Sequence, residues 1–336
     1  MISRQTRSQS SLLSVVIPIH NEAQVIPALL NRLYRVAQDL PLPVELVFID
    51  DGSTDDSVRL LLTEGSPAAS IRVLKLSRNF GKEAAVSAGM EAAMGNAIVL
   101  MDADLQDPPE LIPDMVAQWR RGADVVLMKR RSRKGETWLK RTTAALFYRL
   151  MNRISDASIP IDTGDFRLMS RRAVDAFLAL PERNRYLKGM FAWVGMTTET
   201  LEFDRDPRAA GQTKWNYLKL MQLAVDGITS FSTKPLRLAL FLGLASASAG
   251  GAFGLWEVLK VLVFGTTLPG YASLIAVITF LAGVQLLCVG LLGEYIGRIY
   301  LETKQRPVYL VAEELSAPSS RHQPVPLRVA NHDQPL

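Results

Sequence analysis

The chain is poor in the residues that build disulfide frameworks and metal cages. It has one cysteine, Cys288, and three scattered histidines, His20, His322 and His332. No intrachain disulfide can form, and a cysteine or histidine-rich metal site is excluded. Both common glycine-rich phosphate loops are also missing. A dinucleotide fingerprint would put G-x-G-x-x-G after the first strand, where the chain reads "VIPIHNE". "SRNFGKEAA" contains Gly81-Lys82, but Leu76 stands where a P-loop has its first glycine and Glu83 where it has Ser or Thr. The N-terminal apolar stretch "LLSVVIPI" is short and stops at His20-Asn21-Glu22, so it reads as a first strand rather than a secretory signal.

Apolar sequence, by contrast, is abundant, at 48% of 336 residues. The net charge of +5 suits nucleic acid, anionic lipid or phosphorylated substrates, and charge alone does not choose among them. From residue 13 to about 128 strand and helix patterns alternate. Strands are expected at Leu12–Ile19, Val44–Asp50, Ile71–Ser77, Asn96–Met101 and in "ADVVLMKR", with helices between them. This alternation predicts an α/β domain with a mainly parallel sheet, which binds ligands beyond the carboxyl ends of its strands.

Past residue 235 the character changes. Leu238–Trp256 runs 19 residues without a charge, and Val261–Gly293 runs 33 more. A helix needs roughly 20 apolar residues to cross a bilayer. Two spans are expected, 236–262 and 271–295. Lys234 and Arg237 precede the first, and Arg298, Lys304 and Arg306 follow the second, which predicts that both flanks are cytoplasmic. The segment 214–235 repeats Trp215, Leu218, Met221, Val225 and Ile228 at helical spacing, as a juxtamembrane amphipathic helix would. Residues 1–12 read as a tail. From residue 312 the chain is rich in Pro, Ser and polar residues and reads as disordered.

The chemistry-bearing residues cluster at strand ends. Pro18, His20 and Glu22 follow the first strand, and Asp50 and Asp51 end the second in "IDDGSTDDS". In that turn Ser53 or Thr54 is expected to cap the next helix. Arg78 and Lys82 follow the third strand and can face a diphosphate. The fourth ends in "LMDADLQDPP". There Asp102 and Asp104 project to the same side of a strand of period two, and such paired carboxylates suit Mg²⁺ or Mn²⁺. Asp107 is expected to cap the following helix.

"VVIPIHNE", "DDGSTDDS", "RNFGK" and "DADLQDPPE" together resemble the inverting family 2 glycosyltransferases of GT-A fold. With "GLLGEYIGRIY", "DTGDFRLMSRRAV" and "LPERNRYLKGMFAWVG", residues 13–311 resemble the polyprenyl-phosphate glycosyltransferases, the bactoprenol glucosyltransferase branch above all. The resemblance implies a GT-A domain over 13–213. It further implies a UDP-sugar donor, an undecaprenyl phosphate acceptor, a Mg²⁺ or Mn²⁺ cofactor, a homo-oligomer in a bacterial inner membrane, and no nucleic-acid partner. By position it implies that Pro18, His20, Glu22 and Asp51 hold the uridine; His20 stands where such motifs commonly carry Tyr. Lys82, Asp102 and Gln106 would complete the nucleotide-sugar site, with Asp102 and Asp104 on the metal. Arg130, Lys140, Arg141, Arg208 and Lys214 would clamp acceptor phosphate and diphosphate. Asp165 would position acceptor or sugar, or act as base; a phosphate monoester, with a second pKa of about 6, needs little help to ionise. A donor carrying 4-amino-4-deoxyarabinose or mannose is an alternative. A polysaccharide synthase is a weaker one, because two spans are few for a pore and no Q-x-x-R-W signature occurs.

Overall fold

The computed structural model describes residues 11–131, 163–183, 185–204, 234–264 and 270–317. Strands β1 (Leu13–Ile19), β2 (Val44–Asp50), β3 (Ser70–Leu76) and β4 (Ala97–Leu100) form a parallel core, almost every residue of which is buried. Such two-sided burial explains their near-continuous Val, Ile and Leu content. Helix α1 (Ile26–Asp39) has Pro in its first turn and buries Ile26, Leu29, Leu30, Leu33, Val36 and Ala37, a single helical stripe, against one face. Helices α2 (Ser57–Thr63) and α4 (Ile112–Arg120), the latter entered through a short 3₁₀ turn at Pro109–Leu111, lie in chain order after β2 and β4. Helix α3 (Lys82–Ala92) covers the other face with α5 (Arg171–Leu178) and α6 (Leu187–Val194).

The sheet has eight strands in the order β7-β5-β6-β4-β1-β2-β3-β8. Four of its seven pairings are parallel. Strand β5 (Val125–Arg130) does not follow β4 across the sheet. Strand β6 (Thr163–Ser170) inserts between them, antiparallel to both, and β7 (Thr198–Phe203) pairs with β5. Because β6 runs backwards, its beginning lies at the same edge as the ends of the parallel strands.

Helices α7 (Lys234–Phe264) and α8 (Tyr271–Thr303) are each long and apolar enough to cross a membrane. They touch, with Cys288 Sγ 3.9 Å from Ala239 O, and present exposed Phe241, Leu262, Leu286 and Leu287 to their surroundings. After α8 the chain returns to the α/β domain. Both oxygens of Glu302 accept from the Arg183 N–H, at 3.0 and 3.1 Å, and the Tyr309 hydroxyl donates to Glu91. Residues 312–316, expected in a disordered tail, instead belong to strand β8 (Val311–Ser316), which extends the sheet antiparallel to β3. Arg72 fixes this addition from within β3, donating to Glu314 at 2.6 Å and lying 3.5 Å from the buried Glu45. The strand is short and mostly exposed, with Leu315 half-buried against the core.

Two expected caps are also corrected. The cap of α2 is Asp56 rather than Ser53 or Thr54, because the turn extends further; Asp55 accepts from both the N–H and the hydroxyl of Ser57. Asp107 is buried in its turn, and the cap positions after it fall on Pro108 and Leu111, because two prolines delay the helix.

Candidate active site

The loops leaving β1, β2 and β3 are tied to one another through backbone groups. Asn21 adopts the left-handed region (φ 58°). Its N–H donates to Ser53 Oγ at 2.9 Å, and its Oδ1 accepts from the Thr54 N–H at 2.8 Å. The N–H of Glu22 donates to Ser57 Oγ at 2.9 Å and that of Ala23 to Asp55 Oδ2 at 3.1 Å. His20 Nδ1 lies 3.0 Å from the Asp51 carbonyl. A carbonyl only accepts, so Nδ1 is the donor in this contact. Asp50 is buried, and its Oδ1 accepts from the Ser53 N–H.

Asp51 is the central tie. Its two oxygens accept from the N–H groups of Phe80 (2.7 Å) and Gly81 (3.0 Å), which fixes the start of α3. Gly52 makes this approach possible. Its φ is +76°, and a Cβ there would sit 2.9 Å from Asn79 N. Gly81, at φ +96°, then turns the chain into α3, whose first residue is Lys82.

Between these loops and the end of β4 lies an open cavity of about 550 Å³. Pro18, His20, Glu22, Asp51, Lys82, Asp102 and Asp104 all line it, as does Asn79, which no sequence pattern had singled out. Gln106 does not line it. Its N–H donates to Asp104 Oδ1 at 3.1 Å across a turn that forces Leu105 to φ 59°. A left-handed leucine is strained, and it holds Asp104 at the cavity wall.

Asp165 joins the site from β6. Leu100 pairs with Arg167 across the β4–β6 ladder, so Asp102 and Asp165, each two residues further along, come side by side. The Lys82 ammonium bridges them, 2.6 Å from Asp102 Oδ1 and 2.6 Å from Asp165 Oδ2. Burial works against charge on Asp165, but Lys82, then Lys188 and Arg167, outweigh it and hold the carboxyl well below its usual range. Burial likewise opposes the Lys82 charge, and Asp102 and Asp165 hold the ammonium well above its usual range.

Behind Asp165 the support is cationic. Arg167 is buried, donates to Gly164 O at 3.0 Å and lies 4.1 Å over the Phe191 ring, which stacks on Phe177. Burial pushes its pKa down to about 10, against the opposing charge of Asp165. Arg130 ends β5 beside the same segment: a side chain at Gly164 would come within 3.3 Å of its Nη2. Lys188 of α6, whose charge acts on Asp165, carries no sequence signal of its own. Lys140, Arg141, Arg208 and Lys214 lie outside the described residues.

A cavity at the carboxyl ends of the parallel strands, walled by Asp51, Asp102 and Asp104 with the Lys82 ammonium among them, suits a phosphorylated, cation-associated ligand. Residues 14–178 match the family described as Glycosyl transferase family 2, and residues 234–299 match the GtrB C-terminal hairpin. The chain is 46% identical over 302 residues to the bactoprenol glucosyl transferase of Shigella phage SfV, covering 90% of this chain and 98% of that one. The chain belongs to glycosyl transferase family 2. An uncharacterized glycosyltransferase of Synechocystis is 48% identical over 90% of this chain and 95% of its own. A prophage homolog of bactoprenol glucosyl transferase from Escherichia coli K12 is 45% identical over 89% and 98%. Among solved structures, mannosyl-3-phosphoglycerate synthase of Rubrobacter xylanophilus is similar at 16% identity and a TM-score of 0.46, over 64% of this chain and 71% of that one. This glycosyltransferase thus joins a family 2 domain to a C-terminal apolar helical hairpin.

Proposed function

We propose that this glycosyltransferase moves glucose from UDP-glucose to undecaprenyl phosphate, with inversion, at the cytoplasmic face of a bacterial inner membrane. The observation that carries the reading is the near-full-length match, through both domain and hairpin, to proteins named for bactoprenol glucosyl transfer. The geometry agrees with it. Pro18, His20, Glu22 and Asp51 form the wall at which a uracil ring and ribose would lie, and Asp102, Asp104 and Lys82 form the end suited to a diphosphate.

The donor set fits a divalent cation of the Mg²⁺ or Mn²⁺ kind. Asp102 and Asp104 are hard oxygen donors on one wall, and Mg²⁺ typically takes one or two carboxylates and completes its shell with substrate phosphates and water. Among the described residues no three carboxylate or imidazole ligands converge on one point; Asp102 and Asp104 would supply part of a shell, with substrate phosphates and water as the rest. When bound, such an ion neutralises the diphosphate and stabilises it as a leaving group.

In the reaction an acceptor phosphate oxygen attacks C1 of the sugar from the face opposite the diphosphate. The C1–O bond to the β-phosphate breaks, its electron pair leaves on UDP, and the anomeric centre inverts. No proton needs removing from a phosphate that is already dianionic. A carboxyl held as low as that of Asp165 is also a weak base, which suits it to accepting hydrogen bonds from the sugar and fixing its orientation. Arg130, beside Gly164, and Lys188, whose charge acts on Asp165, would offset the acceptor's charge, and α7 and α8 would hold the enzyme where a lipid acceptor lies.

The test is direct. The full-length protein in detergent, given labelled nucleotide sugars, Mg²⁺ or Mn²⁺ and undecaprenyl phosphate, should move label into the organic phase from UDP-glucose. Label moving instead from a mannose or aminoarabinose donor would reassign the sugar. A folded protein that makes no lipid product from any donor would remove the reading altogether.

A further inference from the structure

Lys82 stands at one point of contact between the two halves of the site. Asp102 belongs to the donor side, at the end of β4, and Asp165 to the acceptor side, at the start of β6. One ammonium lies 2.6 Å from an oxygen of each. The backbone that carries it is fixed: Asp51 holds the N–H groups of Phe80 and Gly81, and the preceding turn is set by Gly52 and Gly81. The charged tip, however, is at the end of four flexible methylenes, and the side chain is 41% exposed toward the cavity. Its anchor is rigid and its charge is movable.

Two carboxylates brought together across adjacent strands repel unless a cation lies between them. A divalent ion held by Asp102 would draw on the same carboxylate that the ammonium holds through Oδ1. Two cations cannot share it closely, so metal entry and the Lys82–Asp102 contact compete.

We propose that Lys82 is the built-in counter-ion of the unloaded site, holding Asp102 and Asp165 until a divalent cation arrives together with a nucleoside diphosphate. The diphosphate is essential to the exchange, because its oxygens give the displaced ammonium a new partner. Metal alone therefore binds weakly, metal and nucleotide bind cooperatively, and Asp165 is released for the sugar only once the donor is in place. This inference rests on the donor site proposed above and adds to it a coupling between metal, nucleotide and Asp165.

Manganese binding followed by electron paramagnetic resonance tests it without turnover, since free hydrated Mn²⁺ gives the signal and bound Mn²⁺ does not. The full-length protein in detergent is titrated with Mn²⁺, with and without UDP. In the wild type, UDP should tighten Mn²⁺ binding about tenfold or more, a usual size for coupling between two ligands. Lys82→Met should bind Mn²⁺ alone about tenfold more tightly than wild type, with a correspondingly smaller UDP dependence, the part owed to diphosphate oxygens on the metal remaining. Lys82→Arg, which keeps the charge, should resemble the wild type. Thermal unfolding checks that each variant is folded, and if the methionine variant is not, Lys82→Gln takes its place. Equal or weaker Mn²⁺ affinity in the uncharged variant, with wild-type Mn²⁺·UDP binding intact, overturns the counter-ion role while leaving the donor site standing. Absence of Mn²⁺·UDP binding in the folded wild type overturns both.

Discussion

Two aspartate-rich turns lie at one edge of the same sheet and handle their charge in opposite ways. At the end of β2, the carboxylates of Asp50, Asp51 and Asp55 accept from backbone N–H groups of Ser53, Phe80, Gly81, Ala23 and Ser57. Those donors cannot leave. At the end of β4, Asp102 faces a lysine tip, shared with Asp165 from the next strand. That donor can leave. The first arrangement builds a scaffold and the second builds a place where ions exchange, although both read as runs of Asp in the sequence.

The comparison breaks if the two turns respond alike to substitution. Asp104→Ala, at the exchangeable end, should lower turnover about a thousandfold, ~4 kcal/mol of lost transition-state stabilisation, while the unfolding temperature stays where it was. Asp51→Ala, at the fixed end, should act first on folding. It leaves two N–H donors of the β3–α3 turn without their buried acceptor, at a cost of about 3 kcal/mol, read as a fall in thermal midpoint. An Asp51 variant of undiminished stability would show that the scaffold description is wrong. Asp165→Asn should lower turnover about a hundredfold through misplaced sugar, with little change in the apparent KM for UDP-glucose.

A finer test uses pH. Asp165 is held below its usual range, so its contact with Lys82 contributes stability above about pH 4 and loses it as pH falls further. Lys82 is held above its range, so the same contact contributes its full stability below about pH 10, and that contribution is lost as pH rises further. The stability difference between wild type and Lys82→Met should therefore be level between these limits and shrink on both sides. The smallest effect belongs to the far edge of the sheet. Glu314→Gln should cost only about 0.5 kcal/mol, because its partner Arg72 keeps the Ala92 carbonyl and the pair is partly exposed.

Much of this site was legible before the structure. Strands such as Ala97–Leu100 announce themselves as unbroken apolar runs, since burial on both faces leaves no polar position. Their polar successors, Pro18 to Glu22, Asp51, Lys82, Asp102 and Asp104, then have to share one edge. What could not be read was order and pairing. Nothing local in "TGDFRLMS" says that β6 enters between β4 and β5, because that choice is made by contacts distant in the chain, as in Leu100 with Arg167, 67 positions apart. The same holds for Lys188, an ordinary lysine until Phe191 and Phe177 dock its helix beside Asp165. Composition misled outright at β8, where a short, exposed "VAEELS" becomes a strand only because β3 offers it an open ladder.

That last strand has a bearing on how the protein is made. Arg72 and Glu314 are 242 positions apart, with both apolar helices encoded between them. At ordinary ribosomal speeds the open edge of β3 waits roughly tens of seconds for its partner. The final seam of the domain is thus sewn only after both apolar helices have been made, and a chain still on the ribosome carries an unfinished sheet.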